Sequence, residues 1–92
     1  MLETYPAIDI LLNTDIVRVT EGFIRYHKGD KVMVITAFYG GRQKGIVTDG
    51  PFYDRLMRRT FYKVRITARL PIYGGAYCGD IENVTELCLS HR

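Results

Sequence analysis

Twenty residues near the middle of the chain, Lys28 to Val47 (KGDKVMVITAFYGGRQKGIV), leave little freedom in how it can fold. Lys28-Gly29-Asp30 is a turn signal, because glycine takes positive φ without steric penalty and Asp hydrogen-bonds the backbone beside it. From Lys31 to Phe38 the side chains alternate, with Val32, Val34, Thr36 and Phe38 on one face and Lys31, Met33, Ile35 and Ala37 on the other. Apolar residues on both faces predict a central or curled strand, as small barrels require. Tyr39-Gly40-Gly41-Arg42-Gln43 is a second turn, and Lys44 to Asp49 is the returning strand. Gly45 falls where a side chain would hinder close approach or a sharp bend. The stretch predicts a β-hairpin that founds the rest of the fold.

On the N-terminal side, Pro6 suits the first turn of a helix and Ile8, Leu11 and Leu12 recur at i, i+3 and i+4. This predicts a short helix from about Pro6 to Asn13, with an extended arm as its alternative. Ile16 to Thr20 and Phe23 to His27 read as short strands around a Glu21-Gly22 turn. Beyond the hairpin, Asp49-Gly50-Pro51 is expected to end the strand, and Phe52 to Arg59 (FYDRLMRR) to form one or two helical turns or a solvated loop. Thr60 to Leu70 is the clearest strand: Tyr62, Val64, Ile66 and Ala68 alternate with Phe61, Lys63, Arg65, Thr67 and Arg69, so one face is core and the other a row of positive charge. Pro71 breaks it. A one-turn helix around Asp80 to Asn83 and a final strand from Val84 to Leu89 complete the reading. At 92 residues this is one domain, 1–92, with residues 1–15 a helical extension and 16–92 the barrel.

Five short strands, a Gly-rich turn after the first, a longer loop between the second and third, and a helical turn before the last resemble an SH3-like small β-barrel. Within it, Gly29 to Val47 resembles the KOW motif of ribosomal and transcription-elongation proteins in its Gly-Asp opening, alternating apolar residues, glycine turn and Gly-Ile-Val second strand. The closing run Ile81 to Leu87 is similar to the turn and last strand of Tudor and Sm-like barrels. The resemblance implies a mainly β, five-stranded barrel and a binding rather than catalytic role. SH3-like barrels take RNA, DNA, peptides or partner subunits, so the fold alone does not select the ligand.

Charge narrows the choice. The formal net charge is +3, but residues 1–17 carry three acids and no Lys or Arg, residues 18–69 hold twelve of the thirteen basic residues against four acids, and residues 70–92 hold three acids and Arg92. A middle section of net +8 between acidic ends points to an anionic partner. Arg42, Lys44, Arg55, Arg58, Arg59, Lys63, Arg65 and Arg69 are interleaved with the pairs Phe38-Tyr39, Phe52-Tyr53 and Phe61-Tyr62. Cations neutralise phosphates and exposed rings stack on bases. The expected partner is therefore RNA or DNA, with Tyr53 and Phe61 joining the eight cations. The alternative is a docking adaptor or inhibitor, viral or accessory, that uses the same face, or Tyr39, Tyr53, Tyr73 and Tyr77 at the loop ends, on an acidic protein surface.

Other chemistries find no footing. Cys78 and Cys88 have nine residues between them and form no Cys-x-x-Cys pair, so neither a zinc site with His27 or His91 nor a disulfide framework is expected. His27 near Asp30 has no nucleophile placed beside it, and Gly40-Gly41-Arg42 lacks the Lys-Ser/Thr and helix of a phosphate loop. No enzyme activity and no cofactor are expected. The longest apolar run near the N-terminus is Ile10 to Leu12, which predicts neither signal peptide nor membrane span, a cytoplasmic location and no membrane partner.

Overall fold

The computed structural model of the chain describes residues 4–5, 14–35, 42–69 and 79–92. It is mainly β: β1 (Thr4–Tyr5), β2 (Ile16–Arg18), β3 (Lys31–Ile35), β4 (Arg42–Asp54), β5 (Arg59–Arg69), β6 (Ile81–Thr85) and β7 (Leu89–His91), with one 3₁₀ turn, Glu86–Cys88, between the last two. The strands form one antiparallel sheet in the order β1-β6-β5-β4-β3-β7, and β2 pairs with β4 off this path. β3 to β6 are thus a meander, and the 3₁₀ turn carries the chain back so that β7 lies beside β3. Among the described residues no pairing joins β1 to β7, so the ladder runs from edge to edge. No described helix is long and apolar enough to cross a membrane.

The two strands of the expected hairpin pair, but its Gly40-Gly41 turn lies outside the described residues, and Arg42 and Gln43, expected in that turn, already belong to β4. β3 and β4 pair from Lys31↔Ile46 to Ile35↔Arg42. Gly29 takes φ +93°, its N–H donates to the Val47 carbonyl at 2.8 Å, and the Val47 N–H donates to the Asp30 carbonyl at 3.0 Å. The Asp30 carboxylate accepts the His27 N–H at 2.9 Å and so pins the turn. Gly45 is required by packing: a Cβ there would collide with the Val64 side chain and sit 3.1 Å from the Arg65 carbonyl oxygen.

Four expectations are corrected. β4 does not stop at Asp49-Gly50-Pro51 but runs on to Asp54. Register shifts flank Asp49, Gly50 takes φ +116°, and the strand bends there instead of ending, so its first half pairs with β3 and its second with β2. Residues 52–54 and 59 are accordingly strand, and the solvated-loop alternative expected for 52–59 holds only for the exposed four-residue turn 55–58. Residues 23–27 form no strand; they find no ladder partner, and Tyr26 instead drops into the core. The helical turn and last strand sit later than their pattern suggests, because β6 pairs with β5 from Ile81↔Arg65 onward and commits residues 81–85 to extended backbone. Finally, seven strands are present among the described residues where a five-stranded barrel was expected; β2 falls within the strand read at Ile16 to Thr20, while β1 lies in the stretch read as a helical extension. The helix expected over residues 6–13 lies outside the described residues.

Period-two alternation divides β5 between two cores. Tyr62, Val64 and Ile66 face Val32, Val34, Val47 and Val84, all nearly free of solvent contact. Tyr26 closes this core: its ring meets Tyr62 edge to face at 5.4 Å, its hydroxyl donates to the Leu89 carbonyl at 2.9 Å, and its N–H donates to the Tyr62 hydroxyl at 3.4 Å. Burial pushes both phenols above their ordinary value. On the opposite face Phe61 packs with Phe52 and Ile16, the two rings 5.5 Å apart. That second cluster covers one end of the outer face and leaves the other end to the polar side chains of the sheet.

Candidate functional site

Directly opposed residues of an antiparallel pair project to the same side of the sheet. The registers Lys31↔Ile46, Ile46↔Arg65 and Arg65↔Ile81 therefore lay a row across β3, β4, β5 and β6 on the outer face. Met33↔Lys44 and Ile35↔Arg42 extend this face in one direction, and Lys63, opposed by Asp49 and Asn83, extends it in the other. Lys31, Arg42 and Arg65 are exposed and Lys44 and Lys63 half-buried. Five cations thus stand among Met33, Ile35, Ile46 and Ile81. With strands about 4.8 Å apart, Lys31 and Arg65 are about 10 Å from each other across the ladder.

Among the described residues, Asp49 is the acid that the registers place next to these cations, and it is already engaged; Asp54 lies on the same side but at the far end, beyond Phe52 and Phe61. Arg18 donates from its two terminal nitrogens to the two carboxylate oxygens at 2.7 and 3.3 Å, while its guanidinium lies 4.8 Å from the centre of the Phe52 ring. The Gly50 N–H adds a third bond to Asp49 at 2.9 Å. Arg18 above all, against the opposing effect of burial, holds the Asp49 carboxyl below its ordinary value; the Gly50 bond and the charges of Arg18 and Lys63 act in the same direction. Asp49 stays ionised and is matched by Arg18, so the five cations of the face keep their net field. Glu82 opposes Val64 on the other side of the sheet and is half-buried, its carboxyl raised by burial and then by Asp80.

The remaining cations occupy a second place, the turn between β4 and β5. The Asp54 carboxylate, itself buried, accepts the N–H groups of Leu56 at 3.0 Å and Met57 at 3.2 Å, and the Arg55 N–H donates to the Asp15 carbonyl at 2.8 Å. Arg58 adopts φ +55°, the left-handed conformation that closes the turn. The result is a tip that carries Leu56, 76% exposed, and Met57, 60% exposed, between Arg55 and Arg58, with Arg59 half-buried behind. From Arg59 to Arg65 is roughly 20 Å of strand, and the Phe61 cluster lies between them. Tip and face are separate, although Arg55 to Arg65 make one run of cations in the sequence.

The other residues singled out fare unevenly. Phe61 is fully buried and opposes Phe52 and Thr85, so it is a core ring and leaves the set available to a ligand. Tyr53 is half-buried, opposed by Val17 and Thr60. Arg69 is register-paired with Gln43 beyond the shift at Lys44 and Gly45, which interrupts the alternation that aligned it with Lys63 and Arg65. Its side chain, like Tyr39, Tyr73, Tyr77 and Cys78, lies outside what the structure describes. Cys88 is a buried thiol of the main core, and His91 lies with its ring 4.6 Å from that of Tyr26. Among the described residues no three His, Cys, Asp or Glu side chains gather as metal ligands would.

Two contributions escaped sequence reasoning. Lys31 shares its face with Met33 and Ile35 by simple alternation, but only the register with β4 and β5 brings it beside Arg65. Arg92 donates to the Gly45 carbonyl at 3.0 Å and adds a cation against β4 that no local pattern signals. No family model matches this chain, and no curated protein or solved structure matches it either.

Proposed function

We propose that the chain is a non-enzymatic binding module that contacts RNA or DNA through the sheet face of Lys31, Arg42, Lys44, Lys63 and Arg65. One observation carries this reading: cross-strand register gathers five cations on one outward face, and the carboxylate set beside them among the described residues, Asp49, is already held by Arg18. A polyanion gains on such a face by releasing its condensed counterions, about 0.9 ion per neutralised phosphate of duplex DNA. The scaffold is read as an SH3-like barrel with a KOW-like hairpin. The β3–β6 meander, the bend of β4 and the 3₁₀ turn that returns β7 to β3 support that reading.

Titration of fluorescent duplex and single-stranded oligonucleotides at several salt concentrations tests the function. Binding at low salt with a slope of about −4 in log K against log salt is expected. Absence of binding at low salt overturns it, and displacement of the oligonucleotide by polyglutamate at equal charge concentration would favour the acidic-protein alternative instead.

A further inference from the structure

The β4–β5 tip has features that the sheet face lacks and that phosphate binding does not use. Leu56 and Met57 are adjacent, strongly exposed and aliphatic. Neither belongs to a core cluster among the described residues, and neither can stack on bases, yet their backbone is well provided for: both N–H groups bond the Asp54 carboxylate and the Arg55 N–H bonds the Asp15 carbonyl. A turn that enters an apolar medium must satisfy its amides internally, and here three consecutive ones are satisfied. Around the apolar pair stand Arg55, Arg58 and Arg59, and the nearest carboxylate in sequence, Asp54, faces inward and is spent on the turn itself.

We propose that this tip is a reversible contact with an anionic lipid surface. Leu56 and Met57 enter the boundary between headgroups and acyl chains, and the three arginines pair with lipid phosphates at headgroup level. A pocket on a protein would be met by a mixed pattern of donors and acceptors, whereas a uniform cationic collar around an apolar point matches a uniform anionic plane. Such a contact lies on the bilayer and needs no spanning segment; it departs from the expectation of no membrane partner, which rested on the lack of long apolar runs, and it is compatible with the lack of a spanning helix among the described residues. Two apolar side chains and three cations make a weak anchor, comparable in kind to a single lipid signal that requires a second to hold. The tip shares no residue with the proposed phosphate-binding face, so the two readings fail independently.

Flotation of the full chain with vesicles of phosphatidylcholine alone, or mixed with phosphatidylserine, is the test. The chain should float with the mixed vesicles only, and Leu56→Asp with Met57→Asp should lower its partitioning at least tenfold. Both side chains are exposed, so the thermal unfolding of this variant should match the parent and exclude misfolding. Lys31→Ala with Arg65→Ala should leave partitioning within about twofold, given the separation of face and tip by more than a Debye length. The chain contains no Trp, so Met57→Trp supplies a single fluorophore whose emission should shift to the blue on mixed vesicles. No flotation, an unshifted emission, or partitioning that depends on Lys31 and Arg65 but not on Leu56 and Met57 would each overturn the proposal. A protein partner that shields the tip in the absence of lipid would do so as well.

Discussion

The outer sheet face and the β4–β5 tip are both basic, and in sequence they overlap, yet they are built by opposite means. The tip takes its arginines from five consecutive residues, held by one buried carboxylate and one left-handed residue. The face takes its cations from three strands, and each is positioned by a ladder partner rather than by a chain neighbour. Closeness along the chain therefore made one cluster of what the fold makes two. Phe61, at the centre of that run, is the reason: its side chain belongs to the core that keeps them apart.

The largest expected effect tests this separation. Phe61→Ala should cost about 3–5 kcal/mol of stability, read from urea unfolding, because it empties a fully buried aromatic site. A loss of oligonucleotide affinity with stability intact would instead make Phe61 a ligand ring and merge face and tip. Next in size, Asp54→Ala should cost about 1–3 kcal/mol, since it leaves the Leu56 and Met57 amides without their acceptor. It should loosen the tip, seen as faster amide exchange at residues 55–58, while exchange in the paired residues of β3 is unchanged.

Smaller effects sharpen the same contrast. Arg58→Gly should raise stability by up to about 1 kcal/mol by removing the steric penalty of φ +55°. A fall in melting temperature would show that the Arg58 side chain has a structural partner. On the face, the Arg18–Asp49 pair is exposed and contributes no more than about 1 kcal/mol. The Asp49 carboxyl is held below its ordinary value of 3.8, so this contribution is present above that pH and is lost as pH falls through the lowered value in the fold. Protonation also releases Arg18 from its partner, so affinity for an anionic oligonucleotide should rise as pH falls through that same lowered value. Asp49→Asn should show the raised affinity already at neutral pH, and an unchanged affinity would remove Asp49 from the field of the face.

What could be read from the sequence follows the same division between local and non-local causes. The Gly29 turn, the β3–β4 hairpin and the long β5 strand were legible because glycine φ and period-two alternation are local. The continuation of β4 through Gly50 and Pro51 was not, since the two residues that end most strands here produce a bend which β2 then pairs beyond. Tyr26 looked like a strand residue because its segment alternates, but it had no partner strand and became the lid of the core. For the candidate site, the side on which Lys63 and Arg65 project was legible and their companions were not. Alternation states which residues share a face of one strand; only register states that Lys31 stands across from Arg65.

The central claim is that the sheet face, and not the tip, contacts the phosphates of a nucleic acid. The salt dependence of duplex binding, measured for the parent chain, for Lys31→Ala with Arg65→Ala, and for Arg55→Ala with Arg58→Ala, tests it most directly. The account predicts that the first pair lowers the magnitude of the slope by about two and the second by less than about 0.5. The reverse pattern would place the phosphates at the tip and contradict it.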